Sequence, residues 1–432
     1  MKMLNENLKV NENGHLLLGG CDTVQLANEY GTPLYVYDEN QIVNNCRMFK
    51  NSMEEHYNNS LVIYASKAFN CKEMCRLVNR EGLGLDVVSG GELYTAKSVG
   101  FPMDRVFFHG NNKTNAELEL ALDYGVHRIV VDNLYELERL NDLAAKKGVV
   151  ADIMMRIKPG IDAHTHDFVR TGQIDSKFGF ALENGEAFEA VKLTKEFKNI
   201  NLEGLHCHIG SQIFDNQPFV EAATVMLNFY KKIKDELGLT LADLNLGGGF
   251  GIKYTENDTP LAYDRYMGDV AKAVHEFCDN NGLAVPRMLI EPGRSIVGAT
   301  GVTLYTVGSV KEIENVRNYV AIDGGMTDNP RYALYKSEYT VVNATKADKE
   351  CDYVATVAGK CCESGDLIGE HMSFAKPDNN DILAVLSTGA YNYSMASNYN
   401  RIPRPAVVMC KDGESRIIIN RESYEDIIKN DI

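Results

Sequence analysis

From about residue 40 to about 300, short apolar runs alternate with longer segments whose apolar residues recur every three or four positions. The runs fall at 61–66, 83–88, 106–109, 129–132, 153–157, 205–208, 244–246 and 288–291. Short, largely apolar runs between turn residues have the pattern of strands buried on both faces. Intervening segments such as 114–122 and 134–143 carry the three-to-four spacing of helices with one buried stripe. Eight strand–helix repeats predict a closed (β/α)8 barrel of TIM type rather than an open sheet.

Beyond about residue 300 the pattern changes to short alternating runs broken by Gly, Asp and Asn, as at 302–308, 339–342 and 416–419, which predicts an all-β domain. Similar alternation at 34–37 precedes a helical stretch at 39–55, so the N-terminal segment is assigned to the β domain. The expected division is a barrel at 40–300 and a discontinuous β-rich domain made of 1–39 and 301–432.

With 432 residues, 44% of them hydrophobic, the chain is long enough for two cores. A net charge of -16 argues against nucleic acid and anionic membranes as partners and favours a small-molecule enzyme. Ten irregularly spaced cysteines, including the adjacent Cys361 and Cys362, do not form a disulfide framework and point to a reducing compartment. The polar N-terminus lacks the apolar stretch of a signal peptide, and no later segment has the length to span a bilayer, so the expected location is the cytoplasm.

The reactive residues cluster where the runs end: Lys67, Ser89, His109, His208, Gly247 to Gly249 and Glu291 each close or follow one. In this fold those ends carry the active site. A lysine amine at a desolvated strand end forms a Schiff base with an aldehyde, and pyridoxal 5'-phosphate is such an aldehyde. The glycines of Leu246-Gly-Gly-Gly-Phe-Gly251 suit a phosphate cradle, though a tight turn explains them equally well. His206 and His208, two positions apart, are expected on one face of their strand, which leaves a zinc hydrolase using both as an alternative from another class. Glu291 is open to three roles: ion-pair partner, metal ligand, or partner of a pyridine nitrogen that deepens an electron sink. Arg294 suits a carboxylate or phosphate.

The motifs Tyr64-Ala-Ser-Lys-Ala-Phe-Asn70, Ser176-Lys-Phe-Gly179, His206-Cys-His-Ile-Gly-Ser-Gln212, Glu291-Pro-Gly-Arg294, Asp328-Asn-Pro-Arg-Tyr332, Cys362-Glu-Ser-Gly-Asp366 and Gly389-Ala-Tyr391 stand in one order along nearly the whole chain. In that ordered set the sequence resembles the diaminopimelate decarboxylases, pyridoxal-phosphate enzymes of the alanine-racemase-like class and the group IV decarboxylase family. The resemblance implies that Lys67 anchors the cofactor, His208 stacks on its ring and Glu291 pairs with its nitrogen. It places Ser89, Ser211, Gly248, Gly249, Gly293, Arg294 and Tyr391 around the phosphate and ring. It assigns the substrate to Arg294, Arg331, Tyr335, Glu363 and Tyr391, and the proton donor to Cys362, which arrives from the second subunit of a homodimer. The implied reaction is decarboxylation of meso-2,6-diaminopimelate at its D-centre to L-lysine. Related decarboxylases acting on ornithine, arginine or carboxynorspermidine are the near alternative; two arginines suit a substrate with two carboxylates better. The segment 164–170 receives no role.

Overall fold

The computed structural model describes residues 4–161 and 175–432; the segment 164–170 lies outside the described residues. The chain divides into two compact units, a barrel unit of Asn45–Gly251 with Pro260–Gly293, and a β-rich unit of the residues up to Asn44, Ile252–Thr259 and Arg294–Ile432.

Eight parallel strands close the barrel: β1 (Ser60–Ala65), β2 (Gly84–Val87), β3 (Val106–Phe108), β4 (Arg128–Val131), β5 (Ala151–Lys158), β6 (Ile200–Cys207), β7 (Asp243–Asn245) and β8 (Arg287–Ile290). Strand β8 returns to β1 with Met288 opposite Ser60, and β4 joins β5 with Ile129 opposite Ile153, so the eight strands close on themselves, and the short strand Phe180–Ala181 adds to the C-terminal end of β5. Local signals set the helices between them. The helix Asn115–Tyr124 starts at a capping box of Thr114 and Glu117 and stops at Gly125, whose φ is 70°. The helix Leu134–Lys147 starts at Asn133 and ends at Gly148 in the same way.

Because side chains alternate along a strand, every second residue enters the barrel, and three tiers result. At the floor, Arg128 of β4 and Arg287 of β8 both reach Asp243 of β7, at 3.2 and 2.8 Å. Two residues on, Ile63, Phe107, Val130, Met154 and Leu289 form a buried apolar layer. Two further on, at the C-terminal mouth, stand His109, Asp132, Arg156 and Glu291, and Asn245 and His206 reach Glu291 from β7 and β6. Seven of the eight expected strands end one residue before their apolar runs, so that His109, His208 and Glu291 lie just past β3, β6 and β8.

In the β-rich unit a sheet runs in the order Leu367–Phe374, Tyr353–Ala358, Arg317–Ile322, Gly301–Ile313, Leu34–Asp38, Ala406–Lys411 and Glu414–Ile419. The N-terminal strand Leu34–Asp38 is antiparallel to Gly301–Ile313 and parallel to Ala406–Lys411, which makes it an internal strand of this sheet. Alternation sends Val302 and Leu304 to one buried cluster and Tyr305 and Val307 to another. Burying each such large apolar side chain contributes about 1.5–3 kcal/mol. Short helices such as Thr23–Tyr30 and Arg331–Tyr335 accompany the strands, so the unit is β-rich rather than purely β.

Candidate active site

The mouth of the barrel holds a buried carboxylate with an unusual set of donors. Glu291 is 7% exposed. Its Oε1 accepts the Asn245 amide at 2.7 Å and stands 2.8 Å from His109 Nε2, while Oε2 lies 3.1 Å from His206 Nε2. Burial opposes the charge, but the two imidazoles outweigh it and hold the carboxyl well below its ordinary range. Burial pushes His206 down to about 4 and His208 well below its usual value, the second also under the charge of Lys67, so both rings are neutral. Asp86, on β2, is pushed up by burial, with one carboxylate oxygen lacking a partner.

Lys67 occupies the 3-10 turn Ser66–Ala68 directly after β1, with its side chain exposed. Its charge acts on Asp86, Glu92 and His208, so the amine shares the mouth with them. Burial pushes Glu92 up to about 7. The turn is tied to the end of β8, since Ala65 N–H donates to Pro292 O at 3.1 Å and a Cβ on Gly293 would come within 2.9 Å of Ala65. Gly248 passes so close to the end of β8 that a Cβ would meet Glu291 O at 2.1 Å, and Gly249 takes a φ of 113°. The Gly248 N–H donates to His208 Nδ1 at 3.3 Å, which orients that ring. Ser89 Oγ accepts the Glu92 N–H and caps the helix Gly90–Ser98. Ser211 follows β6 and is half-buried.

The remaining expected residues belong to the β-rich unit. Arg294 is buried, donates to Tyr254 Oη at 2.5 Å, and lies 4.8 Å from the Tyr391 ring. Arg331 lies 5.2 Å from the same ring and 5.2 Å from Tyr335. Tyr391 is therefore flanked by both guanidiniums, in a left-handed backbone with φ of 70°, a conformation that costs a bulky residue about 1–3 kcal/mol. Neither Tyr254 nor Tyr339, whose rings meet edge-on at 5.3 Å, stands out in the sequence. In the Cys362 turn, the buried Asp366 carboxylate accepts the backbone N–H of Met326 at 2.6 Å and of Cys361 at 2.7 Å. Burial beside Asp366 pushes the Cys361 thiol up to about 12, whereas Cys362 is exposed. Glu363 is exposed and accepts the Gly365 N–H at 3.1 Å.

The zinc alternative is not supported in the form the sequence offered, which paired His206 with His208. The imidazole that converges with His206 is His109, not His208, which accepts from Gly248 instead. The barrel residues do fit pyridoxal phosphate. An ionised carboxylate accepts at about four lone-pair sites, and the Asn245 and His206 hydrogen bonds leave capacity for a pyridinium N–H. A neutral imidazole, a lysine amine and a glycine turn stand at the same mouth, along with unpartnered buried atoms of Asp86, Asp132 and His206.

Comparison with known proteins agrees. Residues 39–298 match the family model described as pyridoxal-dependent decarboxylase, pyridoxal binding domain. The chain is 51% identical over 414 residues to the diaminopimelate decarboxylase of Bacillus methanolicus, covering 96% of each, and 50% identical over 422 residues to that of Bacillus subtilis (strain 168), covering 98% and 96%. Among solved structures, the diaminopimelate decarboxylase of M. jannaschii in complex with L-lysine superposes with a TM-score of 0.91 at 35% identity, covering 100% of this chain and 99% of that one. The chain belongs to the diaminopimelate decarboxylases, within the pyridoxal-dependent decarboxylase family.

Proposed function

We propose that this protein is a pyridoxal-phosphate-dependent carboxy-lyase that converts meso-2,6-diaminopimelate to L-lysine and carbon dioxide, the last step of lysine biosynthesis. The observation that carries the proposal is the likeness to the Bacillus methanolicus enzyme over 96% of the chain, with the lysine, glutamate and cysteine motifs all in place. When bound, pyridoxal phosphate supplies an electron sink for the pair left behind by carbon dioxide.

The chain's own residues bind, orient and move protons. Lys67 would hold the cofactor as its covalent anchor, neutral His208 would lie against its ring, and Glu291 would accept from its pyridine nitrogen. Ser89, Ser211, Gly248, Gly249, Gly293, Arg294 and Tyr391 surround the phosphate and ring. Arg294, Arg331, Tyr335, Glu363 and Tyr391 read the substrate. Two guanidiniums fixed against one tyrosine suit a molecule with a carboxylate at each end, and a planar guanidinium can bind a carboxylate by two points. Cys362 gives its thiol proton to the carbon that lost carbon dioxide. Its exposure in the single chain fits a thiol loaned to a second subunit, so the working form is a two-fold homodimer with shared active sites.

Among the described residues no helix is long and apolar enough to cross a membrane. With ten free cysteines, a cytoplasmic location is the reading we adopt. The test is carbon dioxide release by the protein supplied with pyridoxal phosphate, from meso-diaminopimelate, ornithine, arginine and L-lysine in parallel. Release from diaminopimelate alone, with lysine as product, is expected. Turnover of ornithine or arginine instead would move the protein to a neighbouring decarboxylase.

A further inference from the structure

Glu291 is buried at the barrel mouth among three close side chains. Its partners come from three strand ends: His109 after β3, His206 in β6 and Asn245 in β7. The Asn245 orientation is fixed from both sides, because its Oδ1 accepts the Gly247 N–H at 2.9 Å while its Nδ2 donates to Glu291. An ionised carboxylate only accepts, so His206, hydrogen-bonded to Oε2, must present a protonated Nε2 to it, while His109 Nε2 makes its 2.8 Å contact without the alignment of a hydrogen bond. Neutral His206 is then the Nε2–H tautomer, which leaves Nδ1 a bare acceptor, and Nδ1 is indeed buried without a partner. His109 is itself held in place. Its N–H donates to Val87 O at 2.8 Å, and the neighbouring Gly110 O accepts from Lys113, an ammonium buried against Glu136 at 2.7 Å.

We infer that His109 and His206 are positioning residues, which grip Glu291 as a carboxylate and aim its remaining lone pair at the pyridine nitrogen of the cofactor. The inference rests on the placing of that nitrogen at Glu291 proposed above. The histidines act through Glu291 and need not touch the cofactor. Other titratable groups facing Glu291 are Asp86 from β2, Arg156 from β5, and Cys207 and His208 at the end of β6. None of these four replaces the two direct imidazole contacts.

The test compares His109→Phe and His206→Phe, which keep ring volume and lose the donor, with His206→Gln, which keeps a donor, and with Glu291→Gln. In the apoprotein, infrared difference spectra against Glu291→Gln report the protonation of this one carboxyl. It should stay ionised well below the ordinary carboxyl range in wild type and become protonated at clearly higher pH in either Phe variant. The dissociation constant for pyridoxal phosphate should rise about tenfold in each Phe variant, the scale of one hydrogen bond to a charged group, and His206→Gln should recover most of it. Folded Phe variants with wild-type titration and affinity would overturn the grip while Glu291→Gln still weakens the cofactor. If Glu291→Gln leaves affinity unchanged, the placing of the pyridine nitrogen falls and the inference with it. Nitrogen NMR of histidine-labelled apoprotein needs no variant: His206 should be the Nε2–H tautomer from pH 5 to 8, and the Nδ1–H tautomer would refute the grip.

Discussion

The floor and the mouth of the barrel are built by the same strands, two tiers apart, and they treat charge in opposite ways. At the floor, Asp243 takes Arg128 and Arg287, and Arg128 also reaches Glu203 at 3.4 Å, so the charges close on one another. At the mouth, Glu291 takes hydrogen bonds from Asn245 and His206 and a close contact from His109, and Asp86, Asp132, His109 and His206 each keep an atom without a hydrogen-bond partner. Buried polar atoms in native proteins are nearly always satisfied, so an unmet cluster marks a place where a ligand completes the set. A closed charge cluster instead serves the fold, in line with the division of labour between the two faces of such barrels. The adjacent cysteines repeat the contrast on a small scale: Cys361 is closed against Asp366, while Cys362 is open.

Breaking the floor should give the largest effect on stability. Asp243→Ala removes the carboxylate shared by Arg128 and Arg287, leaving Arg128 only Glu203 and Asp152, and is expected to cost about 3 kcal/mol in urea denaturation, with turnover per folded molecule retained. Glu291→Gln should do the reverse, lowering kcat about a hundredfold, the scale of removing one preorganised electrostatic partner, with little change in the urea midpoint. A floor variant that loses turnover while folded, or a mouth variant that loses mainly stability, would dissolve the distinction. Between the cysteines, Cys362→Ala should lower kcat on the order of 10- to 100-fold as a lost proton donor, while Cys361→Ser should stay close to wild type. Equal turnover in Cys362→Ala and wild type would remove that thiol from the mechanism.

The smallest effect is a slope. His206 titrates at about 4 in the folded chain and at about 6.5 when unfolded. Between those values the unfolded chain holds a proton that the folded one lacks. Stability is therefore full above about pH 6.5 and falls on acidification, by up to about 1.4 kcal/mol per pH unit from this residue. Urea denaturation of His206→Gln from pH 7.5 to 4 should show a shallower fall than wild type, and parallel curves would mean that His206 is not held neutral.

Period-two alternation made much of this legible in the sequence. All eight barrel strands follow their apolar runs, and the inward column of β8, Arg287, Leu289 and Glu291, is an arithmetic consequence of one of them. What the pattern could not give is which columns meet. His109 and Glu291 are 182 positions apart and touch only because β3 and β8 face each other across a closed barrel. The stretch Ile252–Thr259 joins the β-rich unit, yet its Gly- and Thr-flanked residues carry no period, so nothing announced Tyr254 as the partner of Arg294. The family motifs identified Tyr391, but its left-handed backbone at a bulky aromatic is a property of the folded chain alone.

The central claim is that the open end of the barrel is where pyridoxal phosphate is held, on Lys67. Borohydride reduction of the cofactor-loaded protein, followed by peptide mass mapping, tests it most directly. The account predicts a single phosphopyridoxyl adduct on the peptide carrying Lys67, lost in Lys67→Ala. A stoichiometric adduct on another lysine, or none in protein that binds the cofactor, would contradict it.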